Sequence, residues 1–392
     1  MPDGDISGPH VWYGSEMAQS DEWIHEFSES DIAEIDTALR QCTARGLDTL
    51  NITPEEFSLP GLTPQLLSLR NEILRGRGFV LLRGLPVEHW SRQQVLTVYW
   101  GLACHIGYPL SQNVNGHMID HVHDSGRTLA DCEVRAYQTS IRMSYHTDMA
   151  CDVVGLLCLS TSEHGGLSTI VSGATLFNEI RRRDPELCEV LFEPFWFDRR
   201  AEIPEGKLPY FPIPLFNYFG GTLSVVYSPI YIESAQQRFP EVPRLTDRQK
   251  TALELLERTA NNPSISLAMD FKPGDIQLIN NFTTMHARTA FKDGTKSDAK
   301  RHLLRIWLCV PDGLPSPEST RTRRLGCTPT GTRPQKLNRA RAAEFSSGTS
   351  AGADVLTNIT SLKGKRGALG TPFSRGIPSA FQEFNHEKHR TL

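Results

Sequence analysis

The chain has 392 residues, 39% of them apolar and 22% charged, which is enough for one large domain with extensions and too apolar for a disordered chain. A formal net charge of −4 gives no electrostatic case for nucleic-acid or membrane binding, and no run approaches the roughly 18 apolar residues of a membrane-spanning helix. The acidic, polar opening Met1-Pro2-Asp3-Gly4-Asp5 is unlike a secretory signal, so a cytoplasmic protein is expected.

Residues 1–30 carry Trp12, Tyr13 and Trp23 among acidic residues and read as an N-terminal arm packed on a main domain over 31–315. Ile32, Ile35 and Leu39 share one helical face behind a Ser30 cap. A second helix spans 63–75, with Thr63 as cap, Pro64 in the first turn and Leu66, Leu67, Leu69 and Ile73 as its apolar stripe. Gly76-Arg77-Gly78 stops it, a strand runs from Phe79 to Leu85, and a third helix runs from a Ser91 cap to Gly107. Residues 108–145 read as a polar loop and hairpin carrying Asn113, Asn115, His117, His121, His123 and Arg127. Further helices are expected over 175–191, where Arg181-Arg182-Arg183 forms a solvated face, and over 246–260, capped by Thr246 with Leu253 and Leu256 inward. The aromatic- and Pro-rich segment 193–242 suggests short antiparallel strands. Residues 316–392 hold thirteen Lys/Arg against five Asp/Glu with little apolar content, and read as a basic, low-complexity extension in which only Arg339 to Phe345 suggests a short helix. The eight cysteines (Cys42, Cys104, Cys132, Cys151, Cys158, Cys188, Cys309 and Cys327) form no C-x-x-C pair and are expected to be free thiols. The Asn-x-Thr triplets at Asn51, Asn281 and Asn358 read as chance matches.

The chemistry is carried by three separated blocks. In Tyr145-His146-Thr147-Asp148 an extended backbone projects His146 and Asp148 to one face, which on its own reads either as an ordinary hydrogen-bonded pair or as two members of a 2-His-1-carboxylate set of the kind that holds Fe(II) with open positions. Far downstream, Lys272-Pro273-Gly274-Asp275 turns into the apolar strand Ile276-Gln277-Leu278-Ile279, and the next strand carries Met285-His286-Ala287-Arg288. Then comes Arg301-His302-Leu303-Leu304-Arg305, another strand, in which Arg301 and Arg305 share a face.

From about Arg70 to about Pro311, this order resembles the taurine dioxygenase-like (TauD/TfdA) group of Fe(II)/2-oxoglutarate-dependent dioxygenases, which includes clavaminate synthase-like proteins. The resemblance implies a mixed β/α fold with a double-stranded β-helix (jelly roll) core and flanking helices. It implies Fe(II) held by His146, Asp148 and His286, with 2-oxoglutarate and O2 as co-substrates. Arg301 would take the C5 carboxylate of 2-oxoglutarate, because a planar guanidinium pairs with both carboxylate oxygens. Ser168, two positions past Gly165-Gly166, would help it, with Thr169 as runner-up. Arg305 would lie nearer the iron, against the C1 carboxylate or an acidic group of the substrate. Arg142, Tyr137 and Tyr145 are candidate substrate contacts, and Arg135 approaches the same strand. His164 reads as a surface histidine.

The implied activity is oxidation of an unactivated C–H bond of a small anionic or amino-acid-like metabolite, with 2-oxoglutarate decarboxylated to succinate. Hydroxylation is the default; oxidative cyclisation or desaturation is the alternative, and a non-catalytic barrel protein a third reading. With Asp148 present, halogenation is not expected. The partner is a small molecule; neither nucleic acid nor membrane is expected, and the sequence leaves the oligomeric state open.

Overall fold

In the computed structural model, which describes residues 1–113, 116–128, 134–148, 151–200, 203, 206–296, 299–310 and 313, the N-terminal segment is part of the interior. After the short helix α1 (Gly14–Met17), β1 (Ile24–Glu26) joins a sheet in parallel with β2 (Phe79–Arg83). Trp12 and Trp23, 3% and 8% exposed, pack on Phe79 with ring centroids 5.0 and 6.0 Å away. Their indole N–H groups donate to Arg77 O and Met17 O, so burying the rings strands no donor. The basic triplet helps hold this arm, because Arg182 Nη2 lies 2.6 Å from Asp5 Oδ2 and Arg181 also reaches Asp5.

Helix starts follow their caps. In α2 (Glu29–Ala44) the cap is Ser28 rather than Ser30, because Ser28 and Asp31 form a reciprocal capping box. The second helix, α3 (Thr63–Arg75), buries Leu66 and Ile73 but leaves Leu67 49% exposed, and Thr63 is its first residue rather than its cap. A Ser91–Gln94 box starts α4 (Arg92–Ile106). Strands β3 (Tyr108–Leu110) and β4 (Ile119–His123) follow, so part of the expected loop is a sheet strand. The chain continues through β5 (Met143–His146), β6 (Val153–Ser160), β7 (His164–Gly165) and β8 (Ser168–Ser172). The single helix expected over 175–191 is two, α5 (Gly173–Arg183) and α6 (Pro185–Val190). Pro185 lacks an N–H to continue α5, and the Asp184 side chain instead caps α6 at Leu187 N. Two hairpins follow, β9 (Pro194–Asp198) with β10 (Tyr210–Pro214) and β11 (Phe216–Phe219) with β12 (Thr222–Val225), then α7 (Pro229–Arg238) and α8 (Asp247–Ala260). The last strands are β13 (Leu267–Met269), β14 (Ile276–Asn280), β15 (Thr284–Arg288), β16 (Phe291–Lys292), which pairs with β7, and β17 (His302–Cys309).

Two sheets form the jelly-roll core. The larger runs β1-β2-β14-β6-β17-β3 with β4 also on β17, and the smaller runs β13-β8-β15-β5. Alternation sorts their side chains into layers. Phe79, Leu81, Val154, Leu303 and Trp307 meet Ile170, Leu267 and Met269 between the sheets. The outer face of the larger sheet packs on α2, α3 and α4, and that of the smaller on α5 and α8. At the Pro273–Gly274 turn the backbone runs against Leu85 so closely that a Cβ at Gly274, φ +89°, would lie 2.0 Å from Leu85 O. Asp275, fully buried, is held there by the Arg83 guanidinium at 2.8 Å.

The described residues fall in one compact unit, Met1–Leu337; a second, Asn338–Leu392, lies outside them, as do the extension from 316, Asn115, Asn358, Cys132 and Cys327. Cys42, Cys104, Cys151, Cys158 and Cys188 are free thiols, whereas Cys309 is disulfide-bonded, which corrects the expectation at that position. No helix among the described residues is long and apolar enough to cross a membrane.

His121 and His123 do not overhang the interior. They lie opposite Leu304 and His302 across β4 and β17, on the outer, helix-covered face, and His121 Nδ1 is 2.8 Å from His302 Nε2. Burial, then His121, Arg92 and His123, lowers the His302 pKa to about 3. The unfolded chain protonates this residue near pH 6.5 while the folded chain does not, so stability is intact above that pH and falls as pH drops toward 3. Between about pH 7 and about pH 5, His302→Gln should therefore lose less unfolding free energy than wild type, by up to about 2 kcal/mol. Urea titrations at the two pH values measure the difference, and equal losses would exclude His302 as the source.

Candidate metal centre

The site begins with strand register. In the smaller sheet β5 and β15 are antiparallel neighbours and His146 lies directly opposite His286, the two ring centroids 4.2 Å apart. Both rings face the interior, because their neighbours Tyr145, Met285 and Ala287 belong to the apolar layer on the other side of the sheet. β5 ends at His146, and the next two residues are positioned by side chains rather than by a ladder. Thr147 N donates to Tyr227 O at 2.8 Å, and its Oγ1 accepts from Tyr227 N at 3.0 Å. Asp148 N donates to Asn281 Oδ1 at 2.8 Å, while Asn281 Nδ2 donates to the carbonyls of Asp148 and Cys151. The outcome is that His146, Asp148 and His286 each offer one donor atom, all within 4.8 Å of one another. It is the one such group among the described residues.

The electrostatics suit a cation with neutral nitrogen ligands. His146 Nδ1 donates to Ser144 O at 2.9 Å, which leaves Nε2 as its free lone pair. Burial, then His146, lowers the His286 pKa to about 3, and its Nδ1 is buried with no hydrogen-bond partner. Burial also lowers that of His146, against the opposing effect of Asp148. Burial alone would raise the Asp148 pKa, but Arg305, His286, His146 and the Trp307 hydrogen bond outweigh it and hold the carboxyl below its usual range. Trp307 Nε1 donates to Asp148 Oδ2 at 2.7 Å. Two neutral imidazoles and one carboxylate with an unsatisfied buried ring nitrogen match the donor set of a non-haem ferrous site.

Arg301, just before β17, and Arg305 within it are both buried, at 5% and 8%, so neither is a surface charge. Arg305 lies by the metal group, with Nη1 3.5 Å from Asp148 Oδ2 and Nη2 3.9 Å from Asp120 Oδ2. Its Nε donates to Gln112 Oε1 at 2.8 Å, and its guanidinium is 4.7 Å from the Tyr137 ring and 5.0 Å from the Trp307 ring. Tyr137, in turn, donates its hydroxyl to Asp120 Oδ2 at 2.8 Å. Arg301 sits at the Gly165–Gly166 turn, where its Nε donates to Gly166 O at 3.2 Å. A Cβ at Gly166, φ +75°, would come within 2.8 Å of Arg301 Cδ, so this approach needs glycine. Ser168 is buried on the inner face, with its Oγ 3.2 Å from Gln277 Oε1.

Three expected contacts are corrected. Thr169 follows Ser168 and so points to the other face, where it hydrogen-bonds Tyr145. Tyr145, 2% exposed, lies in that outer apolar layer, away from His146. Arg142 is exposed and donates to Asn261 at the end of α8. His164 is exposed, as expected. Sequence reading set Asn281 next to the metal set without giving it a role, and missed Trp307, Gln112 and Asp120. Trp307 was accessible to it, being two residues from Arg305 on the same strand face; the others are brought in by tertiary packing.

With the geometry in place, comparisons with known proteins agree. The model of the family described as "Taurine catabolism dioxygenase TauD, TfdA family" matches residues 42–307. The chain is 29% identical to FR-33289 synthase of Streptomyces rubellomurinus, over 82% of this chain and 95% of that protein. It is 30% identical to taurine hydroxylase-like protein SAT17 of Stachybotrys chartarum, over 77% of this chain and 79% of that protein. Among solved structures, asparagine oxygenase in complex with Fe(II), 2S,3S-3-hydroxyasparagine and succinate superposes with a TM-score of 0.56 at 16% identity, covering 74% of this chain and 94% of that one. The non-heme iron oxygenase OrfP in complex with Fe and alpha-ketoglutaric acid gives 0.53 at 15% identity, covering 73% and 94%.

Removing the indole donor to Asp148 should weaken the metal site without dismantling it. Trp307→Phe is expected to bind Fe(II) about ten- to a hundredfold more weakly than wild type in an anaerobic metal titration, and His146→Ala to bind none. Unchanged affinity in Trp307→Phe would mean that Asn281 and Arg305 suffice to orient the carboxylate.

Proposed function

The chain belongs to the TauD/TfdA family of Fe(II)/2-oxoglutarate-dependent dioxygenases, and on that premise we propose that it oxidises a C–H bond of a small, amino-acid-like or anionic metabolite at His146, Asp148 and His286. The observation that carries this is the convergence of those three donor atoms within 4.8 Å, beside two buried arginines. Bound there, Fe(II) with 2-oxoglutarate and O2 supplies the oxidising power, while 2-oxoglutarate loses carbon dioxide and becomes succinate.

The chain's own residues divide the remaining work. His146 and His286 present neutral nitrogens, so metal binding does not wait on losing protons from the rings at neutral pH. Asp148 is held anionic by Arg305 and Trp307. Arg301, buried behind the Gly165–Gly166 turn, is placed to pair with a carboxylate. Arg305 and Asp120 put a cation and an anion side by side next to the metal group, a pairing that suits a substrate with both charges. Tyr137 braces that pair from Asp120. The name of the Stachybotrys relative, a taurine hydroxylase-like protein, points to a small amino sulfonic acid, which fits the same class. A cytoplasmic setting, where ferrous iron and 2-oxoglutarate are at hand, fits this chemistry.

Hydroxylation is the default outcome, and oxidative cyclisation or desaturation is the alternative from the same centre. Incubation with candidate amino acids and small anionic metabolites should release succinate only with Fe(II), 2-oxoglutarate and O2 present. Asp148→Ala should release none. A product heavier by one oxygen selects hydroxylation, and one lighter by two hydrogens selects the alternative. Wild-type turnover in Asp148→Ala would reject the site assignment.

A further inference from the structure

Arg288 is unassigned by anything above, yet it is the most unusual charge in the interior. It follows His286 by two residues on β15 and shares its face, and across the ladder it lies directly opposite Ser168 on β8. It is 5% exposed. Its Nη2 donates to the carbonyls of Thr139 and Ile141, but its Nε and Nη1 are buried with no hydrogen-bond partner. Arg301 repeats the pattern: 5% exposed, Nε on Gly166 O, and Nη1 buried without a partner. Both guanidinium groups lie over one ring, Phe291, at 4.7 and 5.5 Å from its centroid. Neither takes part in an ion pair among the described residues.

Two like charges buried against one ring with three unsatisfied nitrogens are costly unless something compensates them. An apolar ligand would leave the cost in place. A carboxylate removes it, because its two oxygens offer about four acceptor positions, and Ser168 Oγ, which donates to Gln277 Oε1, can turn its proton to the same group. We propose that Arg288 is a second binding arginine for the co-substrate, so that the distal carboxylate of 2-oxoglutarate lies between Arg288 and Arg301 with Ser168 alongside. This rests on the function proposed above. It adds a residue that touches the ligand and also ties that contact to the metal strand, since Arg288 fastens the Thr139–Ile141 segment that leads into β5.

A purely structural role for Arg288, as a clamp on that segment, makes a different prediction, and a ligand-by-mutation cycle separates the two. Binding of 2-oxoglutarate and of 2-oxopentanoate, which has a methyl group in place of the distal carboxylate, is measured calorimetrically on the metal-loaded chain without O2. The pair of ligands is compared in wild type, Arg288→Met and Arg288→Lys. The proposal expects wild type to prefer 2-oxoglutarate, Arg288→Met to lose about ten- to a hundredfold of that preference, and Arg288→Lys to recover part of it. A clamp-only residue weakens both ligands equally, so a preference kept in full by Arg288→Met overturns the proposal while leaving the proposed function intact. No preference in wild type overturns both. Should Arg288→Met not fold, the Arg288→Lys cycle decides alone, because an ammonium keeps the charge but cannot reproduce the guanidinium geometry.

Discussion

The antiparallel register of β5 on β15 is the constraint on which the site depends. It sets His146 opposite His286, and a slip of one residue would send one ring to the helix-covered face. β15 is an inner strand, held on its other side by a regular ladder to β8 from Thr284 to Arg288. The outer faces of these strands, through Met285 and Ala287, are buried against α5 and α8, so slippage would also bring a histidine into an apolar layer. The carboxylate is fixed by separate means. Asn281, just past β14 in the larger sheet, reaches across to the backbone of Asp148 beyond the end of β5 in the smaller sheet. Metal geometry therefore reports how the two sheets are placed on each other, with Asn281 holding the Asp148 backbone and Trp307 and Arg305 its carboxylate.

The interior is divided by charge as well as by shape. One region holds the tryptophans of the N-terminal segment with Phe79 and Ile170 and contains no ion. Around the metal group every charge has an opposite nearby: Arg305 beside Asp148 and Asp120, with Trp307 and Tyr137 as hydrogen-bond donors to the two acids. Around Phe291 lie two cations that form no ion pair among the described residues, although Asp293 acts on Arg301 and Asp124 on Arg288 at longer range. Burial lowers the pKa of Arg301 to about 10, and burial with Arg301 nearby lowers that of Arg288 to about 9, yet both remain cationic at neutral pH. The first arrangement is balanced before any ligand arrives and can keep three donor atoms converged. The second leaves three buried guanidinium nitrogens without partners, and on the proposed reading an incoming carboxylate supplies them.

Local chemistry made much of this legible in the sequence. Helix α4 begins at Ser91 and α8 at Thr246, because a hydroxyl followed three residues later by Gln can form a reciprocal cap. The two histidines were readable because alternation along β5 and β15 turns them inward, and Asp148 because the chain past β5 stays close to extended. The same rule, applied evenly, excludes Tyr145 and Thr169, which alternate with His146 and Ser168, and brings in Arg288, which shares the face of His286. What remained hidden has no local signature. Pro185 broke a helix whose hydrophobic pattern runs straight through it. β4 is recruited by β17 across 180 residues, and its histidines face away from the site for that reason. Asn281 reads as part of an Asn-x-Thr triplet until the fold buries it against Asp148.

Backbone spacing also separates Arg301, just before β17, from Arg305 within it. Four residues of extended chain span at most about 14 Å, less the irregularity between His302 and Leu303, so the two arginines start from well-separated points along the sheet. His286 and Arg288 are about 7 Å apart on one face of β15. The end carbons of an extended five-carbon diacid, with C–C bonds of about 1.5 Å, are on the order of 5 Å apart. This spacing supports the proposed reading, in which a ligand with one end at the metal group meets the Arg288–Arg301 pair with its other end, and Arg305, beside Asp148, is left for the substrate. It follows from where β15 and β17 start and stop, and it requires no movement of either strand.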